Sequence, residues 1–331
     1  LFFFIGILFE RFQLDKKILN LSEKAIDGSS RILYSLANTD KIYLNVEGKE
    51  YEKILETRKK ALKSGILKDK MYEWSSAKLI NNDVEHDINL RLKGAFPDHW
   101  SDSSRWSFKI KINNDSKSVQ NLRRFNLQPP ETLSYLYEWL LNKALSEEEL
   151  ISLNIDFYEL ILNKKSLGVY VMQEGISPDT LKRNKKQLGP IIGFGKNLYL
   201  NERLNAEKLK KKGITDSLNG LEDTFWRAKI EPVQLSEFQS VNKQQQDFLN
   251  KAIYLLSSFR KGELKPSQVF DIKKLAKVMA IRAALGSSEF DYRDTKFYFN
   301  PETSLLEPIT KEIHVDLNLN FKDHYYSWWI D

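Results

Sequence analysis

The run Arg105-Trp106-Ser107-Phe108-Lys109-Ile110-Lys111-Ile112 ends in a strict alternation of apolar and cationic side chains, the mark of a strand with one buried face. Phe108, Ile110 and Ile112 share one side; Lys109 and Lys111 share the other. One strand earlier, Arg91-Leu92-Lys93 repeats the pattern and Gly94 closes it with a turn. A period of two does not suit a helix, so this region has to build a sheet with cations gathered on one face. Two neighbouring strands that turn their cations inward make an anion site, and nucleotide phosphate is the common large anion of cells. The plain alternative is a half-exposed sheet whose lysines face water.

Composition bounds the rest. A chain of 331 residues, 41% of them hydrophobic, can bury one large core or two lobes. The formal charge of +6 permits an acidic partner without requiring one. Cysteine is absent, which excludes disulfides, thiolate metal sites and a cysteine nucleophile. None of the four histidines stands at helical metal-ligand spacing from another, which argues against a zinc hydrolase. Leu1 to Phe9 is apolar but too short to span a bilayer. With no starting Met it reads as the remnant of a signal sequence or membrane anchor over residues 1–12, which places the remainder outside the cytoplasm. The aromatic run Tyr325 to Ile330 reads as a cut end.

Residues 13–39 read as linker or helix. Lys41 to Val46 alternates like a strand, and residues 48–64 form a helix with Tyr51, Ile54, Leu55 and Leu62 on one side and Gly65 as its stop. Hairpins are expected over 74–93, around Asn81-Asn82-Asp83, and over 156–174, around Asn163-Lys164-Lys165. Further strands are expected at 106–112 and 123–128, with a helix over 131–145. Past Gly175 the chain becomes charged and mostly helical, with an amphipathic helix over 271–285 and two closing strands at 296–299 and 305–309. The expected fold is α+β in two lobes, a sheet-rich one over 40–175 and a helix-rich one over 176–331.

The densest acidic cluster follows that amphipathic helix: Glu289, Asp291 and Asp294, then Glu307, Glu312 and Asp316. Hard divalent cations such as Mg²⁺ take oxygen ligands, usually one or two carboxylates with substrate phosphates and water. Cationic strands in one lobe and carboxylates in the other are the two halves of a metal–nucleotide site. An ordinary acidic surface loop is the competing reading.

Eight short words, in order, resemble the CotH kinase family. They are Arg91-Leu92-Lys93-Gly94, Asp98-His99-Trp100, Arg105 to Ile110, Phe125 to Pro130, Glu138-Trp139, Gly168 to Glu174, Gly189 to Ile192, and Lys296 to Pro301 with Leu306 to Ile309. The resemblance spans about residues 40–316. It implies an atypical protein-kinase-like fold, ATP and Mg²⁺ as nucleotide and metal, and a serine-containing surface or envelope protein as the phosphate acceptor. On that resemblance Arg91, Lys93, Arg105 and Lys109 contact phosphates, Glu174 stands at the lobe junction, Glu289 or Asp291 is the base, and Asp294 with Glu312 holds metal. Asp316 is a further metal candidate.

Four positions depart from the family pattern: Arg105 stands where the family usually has Lys, which keeps the charge but not the geometry, and three more lie near the C-terminal acids. Glu289 and Glu312 stand where the family has Asp, and Asp294 where it has Asn. An added methylene moves a carboxylate by roughly 1.5 Å, and misplacement of about that size can cost about 100-fold in rate. A catalytically impaired relative, serving as an envelope or surface assembly protein, is therefore the runner-up. A third reading is a polyanion-binding module of another class, although no nucleic-acid motif is present and nucleic acid is not expected as a partner.

Overall fold

The computed structural model describes residues 40–68, 71–113, 118–210, 212, 223–233, 243–287 and 292–313. The readings made for residues 1–39, for the C-terminal aromatic run and for Glu289, Asp291 and Asp316 lie outside that set.

Seven strands close into a barrel in the order β1-β2-β3-β4-β5-β7-β6. They are β1 (Lys41–Asn45), β2 (Ser75–Asn81), β3 (Val84–Leu92), β4 (Phe108–Ile112), β5 (Arg124–Gln128), β6 (Ile155–Leu162) and β7 (Lys165–Glu174). All neighbours are antiparallel except β1 and β6, whose parallel pairing seals the barrel. Two of its hairpins turn on left-handed residue pairs, Asn82-Asp83 and Asn163-Lys164, the conformation that a two-residue loop needs. Helix α1 (Gly48–Ser64) packs on β2 and β3 and presents Ile54, Thr57 and Ala61 to the barrel core. Leu62, expected on that face, is exposed instead.

The apolar half of the alternation fills the barrel: Ile88, Leu90, Leu92, Phe108, Ile110, Phe125 and Leu127 are all buried there. Arg91, Lys93, Lys109 and Lys111 therefore project from the outer surface. The barrel interior is lined by apolar side chains, and the charges face whatever packs outside.

What packs outside is a second sheet, order β11-β10-β8-β9. Its strands are β8 (Ile191–Phe194), β9 (Ile230–Pro232), β10 (Lys296–Asn300) and β11 (Leu305–Ile309). Helices α2 (Tyr137–Glu147), α3 (Pro178–Arg183), α4 (Asn197–Lys210), α5 (Lys243–Arg260) and α6 (Ile272–Ala284) complete the described elements used below. One core joins this sheet to α2, α5 and α6 through Leu141, Leu145, Ala252, Leu256, Val278 and Phe297. Another welds it to the barrel, with Ile155 and Val171 meeting Ile191, Tyr298 and Ile309. The architecture is mixed α and β with a sheet-rich first part, but the second part is less purely helical than its sequence suggests. Among the described residues no helix is long and apolar enough to cross a membrane.

Candidate functional site

The words around Lys93 form one structural unit. Just past β3, Lys93 donates its amide to Ser107 O at 2.8 Å, and Ser107 donates its own to His99 O at 2.8 Å. Gly94 turns the chain at φ +86°, and the His99 ring lies so close that a Cβ at position 94 would sit 1.8 Å from its Cδ2. His99 Nδ1 meets Ser107 Oγ at 3.0 Å, and Trp100 Nε1 donates to Gly94 O at 3.2 Å. Burial, and then the neighbouring Lys93 ammonium, hold the His99 imidazole well below its usual range, so it is neutral. This frame fixes the backbone from which Lys93 projects. Gly94→Ala adds a left-handed penalty of about 1–2 kcal/mol to the displacement of His99. A clear fall in melting temperature is expected; a thermal scan that matches wild type would show that the turn tolerates a side chain.

Lys93 reaches across the gap between the barrel and the second sheet. Its Nζ lies 3.5 Å from Glu312 Oε1, just beyond β11, and Lys311 Nζ donates to the same oxygen at 2.5 Å. Lys196, immediately before α4, donates to Asp294 Oδ1 at 2.5 Å. Lys296, at the start of β10, donates to Arg293 O at 2.9 Å, and its chain lies over Gly193 on β8, where a Cβ would meet its Cδ at 2.4 Å. A side chain at 193 would displace it. Asp294, Glu312, Lys196 and Lys311 all act on both Lys93 and Lys296, so the charges form one cluster.

Cations outnumber carboxylates there, and the crowding shifts their proton affinities. Burial opposes ionisation of Glu312, but the ammoniums of Lys311, Lys93 and Lys196 prevail and hold its carboxyl well below the usual range. Lys296 is pushed down to about 7 by burial and by Lys196, and Lys109 to about 8 by burial and then Arg91. Lys93 is lowered as well, first by burial. A buried site with surplus positive charge is short of an anion.

The proposed site residues divide. Arg91 stands opposite Lys109 in the β3–β4 register, its guanidinium 3.7 Å from the Tyr72 ring centre and 5.3 Å from that of Trp74. Lys109 feels Arg91, Lys311 and Lys93 and so links the barrel surface to the cluster. Lys93, Asp294 and Glu312 converge. Arg105 does not join them: it pairs with Glu131 at 3.0 Å and donates to Val169 O at 3.0 Å. Glu174 is taken up by Arg183 at 2.6 Å and by the Asn154 amide at 2.8 Å. Glu307 is buried in an ion network with Lys274 at 2.7 Å and Lys186 at 3.2 Å.

Among the described residues no group of three or more His, Cys, Asp or Glu side chains could hold a metal ion. Asp294 and Glu312 supply two carboxylates, the number with which a nucleotide-borne Mg²⁺ is commonly held, so the donor set fits that ion when phosphates complete the shell. Sequence reasoning missed Lys196 and Lys311 altogether, and took Lys296 only as part of a family word. Isolated lysines carry no pattern; only the packing of distant segments groups them.

No curated protein matches the chain. The family described as CotH kinase protein matches residues 90–325, a stretch that opens on β3 and takes in every described member of the charged cluster, and the chain belongs to that family.

Proposed function

We propose that the chain is an ATP- and Mg²⁺-dependent kinase that transfers the γ-phosphate to a serine of a surface or envelope protein, in a two-lobed, kinase-like arrangement of barrel and second sheet. Membership of a kinase family supports the broad class. The observation that carries the finer reading is the ion pair from Lys93 to Glu312, which sets a barrel cation against an acid of the second sheet inside a cluster rich in lysine. Lys93, Lys109 and Arg91 face the phosphates, with Lys296 and Lys311 as further contacts. Asp294 and Glu312 hold the metal; Glu289 or Asp291 is the base.

Phosphoryl transfer needs positioned phosphates, neutralised charge and a proton acceptor. The serine oxygen bonds to the γ-phosphorus as the bond to the bridging oxygen breaks, ADP departs, and the hydroxyl proton passes to the base carboxylate. Mg²⁺, when bound, offsets the negative charge of the β- and γ-oxygens. The apolar stretch before residue 12 is read as an anchor that keeps the enzyme outside the cytoplasm. Transfer of labelled γ-phosphate to a serine-containing protein, with a thermal shift on adding ATP and Mg²⁺, tests the proposal. No shift and no transfer would end it.

One observation favours the non-catalytic alternative. Both described carboxylates are already neutralised by lysine, Glu312 by Lys311 and Lys93 and Asp294 by Lys196. A thermal shift without transfer would support a nucleotide-binding assembly protein.

Proton uptake separates binding at this cluster from binding elsewhere. Lys296 and Lys109, held near 7 and 8, are partly neutral at alkaline pH. Bound phosphate raises both values, so the complex holds more protons than its components. At about pH 8 the phosphates are already ionised and the lysines alone take up protons, so affinity falls as pH rises through the lysine range. Calorimetric titration of ATP in buffers of different ionisation enthalpy should report net uptake. Equal heats in all buffers would place the nucleotide away from these lysines.

A further inference from the structure

Glu312 has a backbone that glutamate rarely adopts: its φ is +58°, in the left-handed region. Something has to hold it there, and the holders are on α2 and on the turn before it. Glu138 is fully buried, and its Oε2 accepts the Ile313 amide at 2.9 Å. Burial pushes the Glu138 carboxyl above its usual range, against the pull of the Ile313 and Glu312 amides. Ser134 Oγ donates to Ile313 O at 3.1 Å, so residue 313 is gripped at both its amide and its carbonyl. The Ile313 side chain is itself buried in the core of the second sheet.

The other oxygen of Glu138 is tied to the barrel. Gln173 Nε2 donates to Glu138 Oε1 at 3.0 Å, and Gln173 Oε1 accepts from Asn126 at 3.2 Å and from Gln128 at 3.1 Å. Asn126 and Gln173 are direct partners in the β5–β7 register, and Asn126 is the direct partner of Lys109 on β4. A continuous buried chain of hydrogen bonds thus runs from β5, the neighbour of cation-bearing β4, through Gln173 and Glu138 to the backbone beside Glu312. In a satisfied buried network each member fixes its neighbours.

We infer that Glu138 is a positioning residue: its carboxylate clamps the backbone at Glu312–Ile313 and so aims the Glu312 side chain at Lys93 and Lys311. This rests on the reading of Glu312 as a metal-facing carboxylate of the kinase site. Glu138 itself touches neither nucleotide nor metal.

The hydrogen-bond polarity supplies the test. In Glu138→Gln one carboxylate oxygen becomes an NH₂ group. If the remaining oxygen keeps the Ile313 amide, two NH₂ groups face each other at Gln173. The exchange Glu138→Gln with Gln173→Glu repairs this. The residue at 138 then accepts from Ile313 and donates to the carboxylate at 173, which still accepts from Asn126 and Gln128.

Two readouts keep the positioning claim separate from the kinase reading. The first is amide hydrogen exchange over residues 310–313, which needs no ligand. Glu138→Gln should speed exchange there at least tenfold, and the paired exchange should restore it. Unchanged exchange in Glu138→Gln overturns the inference whatever the protein binds. The second is the ratio of ATP affinities with and without Mg²⁺. Losing the partner of a metal ligand typically costs about 10–100-fold in metal affinity, so Glu138→Gln should shrink that ratio by as much. In a Glu312→Gln background it should shrink it no further. An equal loss in both backgrounds marks a merely structural role and overturns the inference. If wild type shows no Mg²⁺-dependent ATP binding, the kinase reading fails and the exchange measurement decides the clamp alone. Should Glu138→Gln fail to fold, the paired exchange carries the test: folded with wild-type exchange and Mg²⁺ ratio supports the clamp, folded with either lost overturns it.

Discussion

Glu312→Gln should abolish the Mg²⁺-dependent part of ATP binding and destabilise the fold by about 3 kcal/mol or more, the usual result of breaking a buried ion pair from one side. The Glu312 side chain is 17% exposed and Lys93 10%, so solvent can do little to replace the lost charge. With glutamine in place, Lys93 and Lys311 face each other and Lys196 without the nearest acid. Lys93, whose basicity burial already lowers, responds by giving up its proton, which costs folding free energy because it is charged in the unfolded chain. The sign with pH follows from Glu312, whose folded value lies well below its ordinary 4.5. Its contribution is complete above that ordinary value and is lost as pH falls through the folded one. Wild type and variant should therefore differ most near neutrality and converge in acid. Denaturant melts across pH, with ATP titrations in Mg²⁺ and in chelator, measure both effects. Mg²⁺-dependent binding of wild-type strength in the variant would remove Glu312 from the metal site.

Much of the barrel was legible because its signals are local. The alternation at Phe108–Ile112 and the paired turn residues Asn82-Asp83 and Asn163-Lys164 specify strands and hairpins within a few residues. Closure was not legible, because β1 pairs in parallel with β6 more than a hundred residues away and no local pattern announces it. Strand β9 is three residues long and ends in proline, which erases its signal. The direction of the cations was left open for a related reason: period two separates the faces but does not say which one is inside. Parity also explains Glu174. Gln173, one residue earlier, is the side chain that β7 sends toward Glu138, while Glu174 turns to Arg183. On α1 the sequence favours Leu62, but the helix buries its smaller neighbour Ala61 against the barrel core.

The cluster itself was half legible. Lys93, Asp294 and Glu312 were named from motif words, and Lys109 from its strand. Lys196 and Lys311 look like solvated charges until the second sheet is folded against the barrel. Their presence changes the electrostatic account of the site, because two carboxylates alone would describe a cation site. With Lys93, Lys196, Lys296 and Lys311 around them, the same carboxylates sit within a surplus of positive charge.

Lys93→Met should lower ATP affinity about 10–100-fold, the equivalent of one charge-assisted hydrogen bond, and by the same factor with or without Mg²⁺. That equality sets it apart from Glu312→Gln, whose effect is confined to the Mg²⁺-dependent part. Stability should change far less than in the glutamate variant. Burial already lowers the basicity of Lys93, so its charge is held at a cost, and methionine fills similar volume with none. Glu312 keeps Lys311 at 2.5 Å and is not left alone. Lys93→Met is therefore expected to melt close to wild type. The double variant Lys93→Met with Glu312→Gln should recover a large part of the stability lost in Glu312→Gln, since no unpaired Lys93 ammonium is left beside the glutamine. A double-mutant cycle measures this coupling directly. Strict additivity, with the double variant as unstable as the summed singles, would mean that Lys93 and Glu312 do not answer to one another across the gap between barrel and sheet.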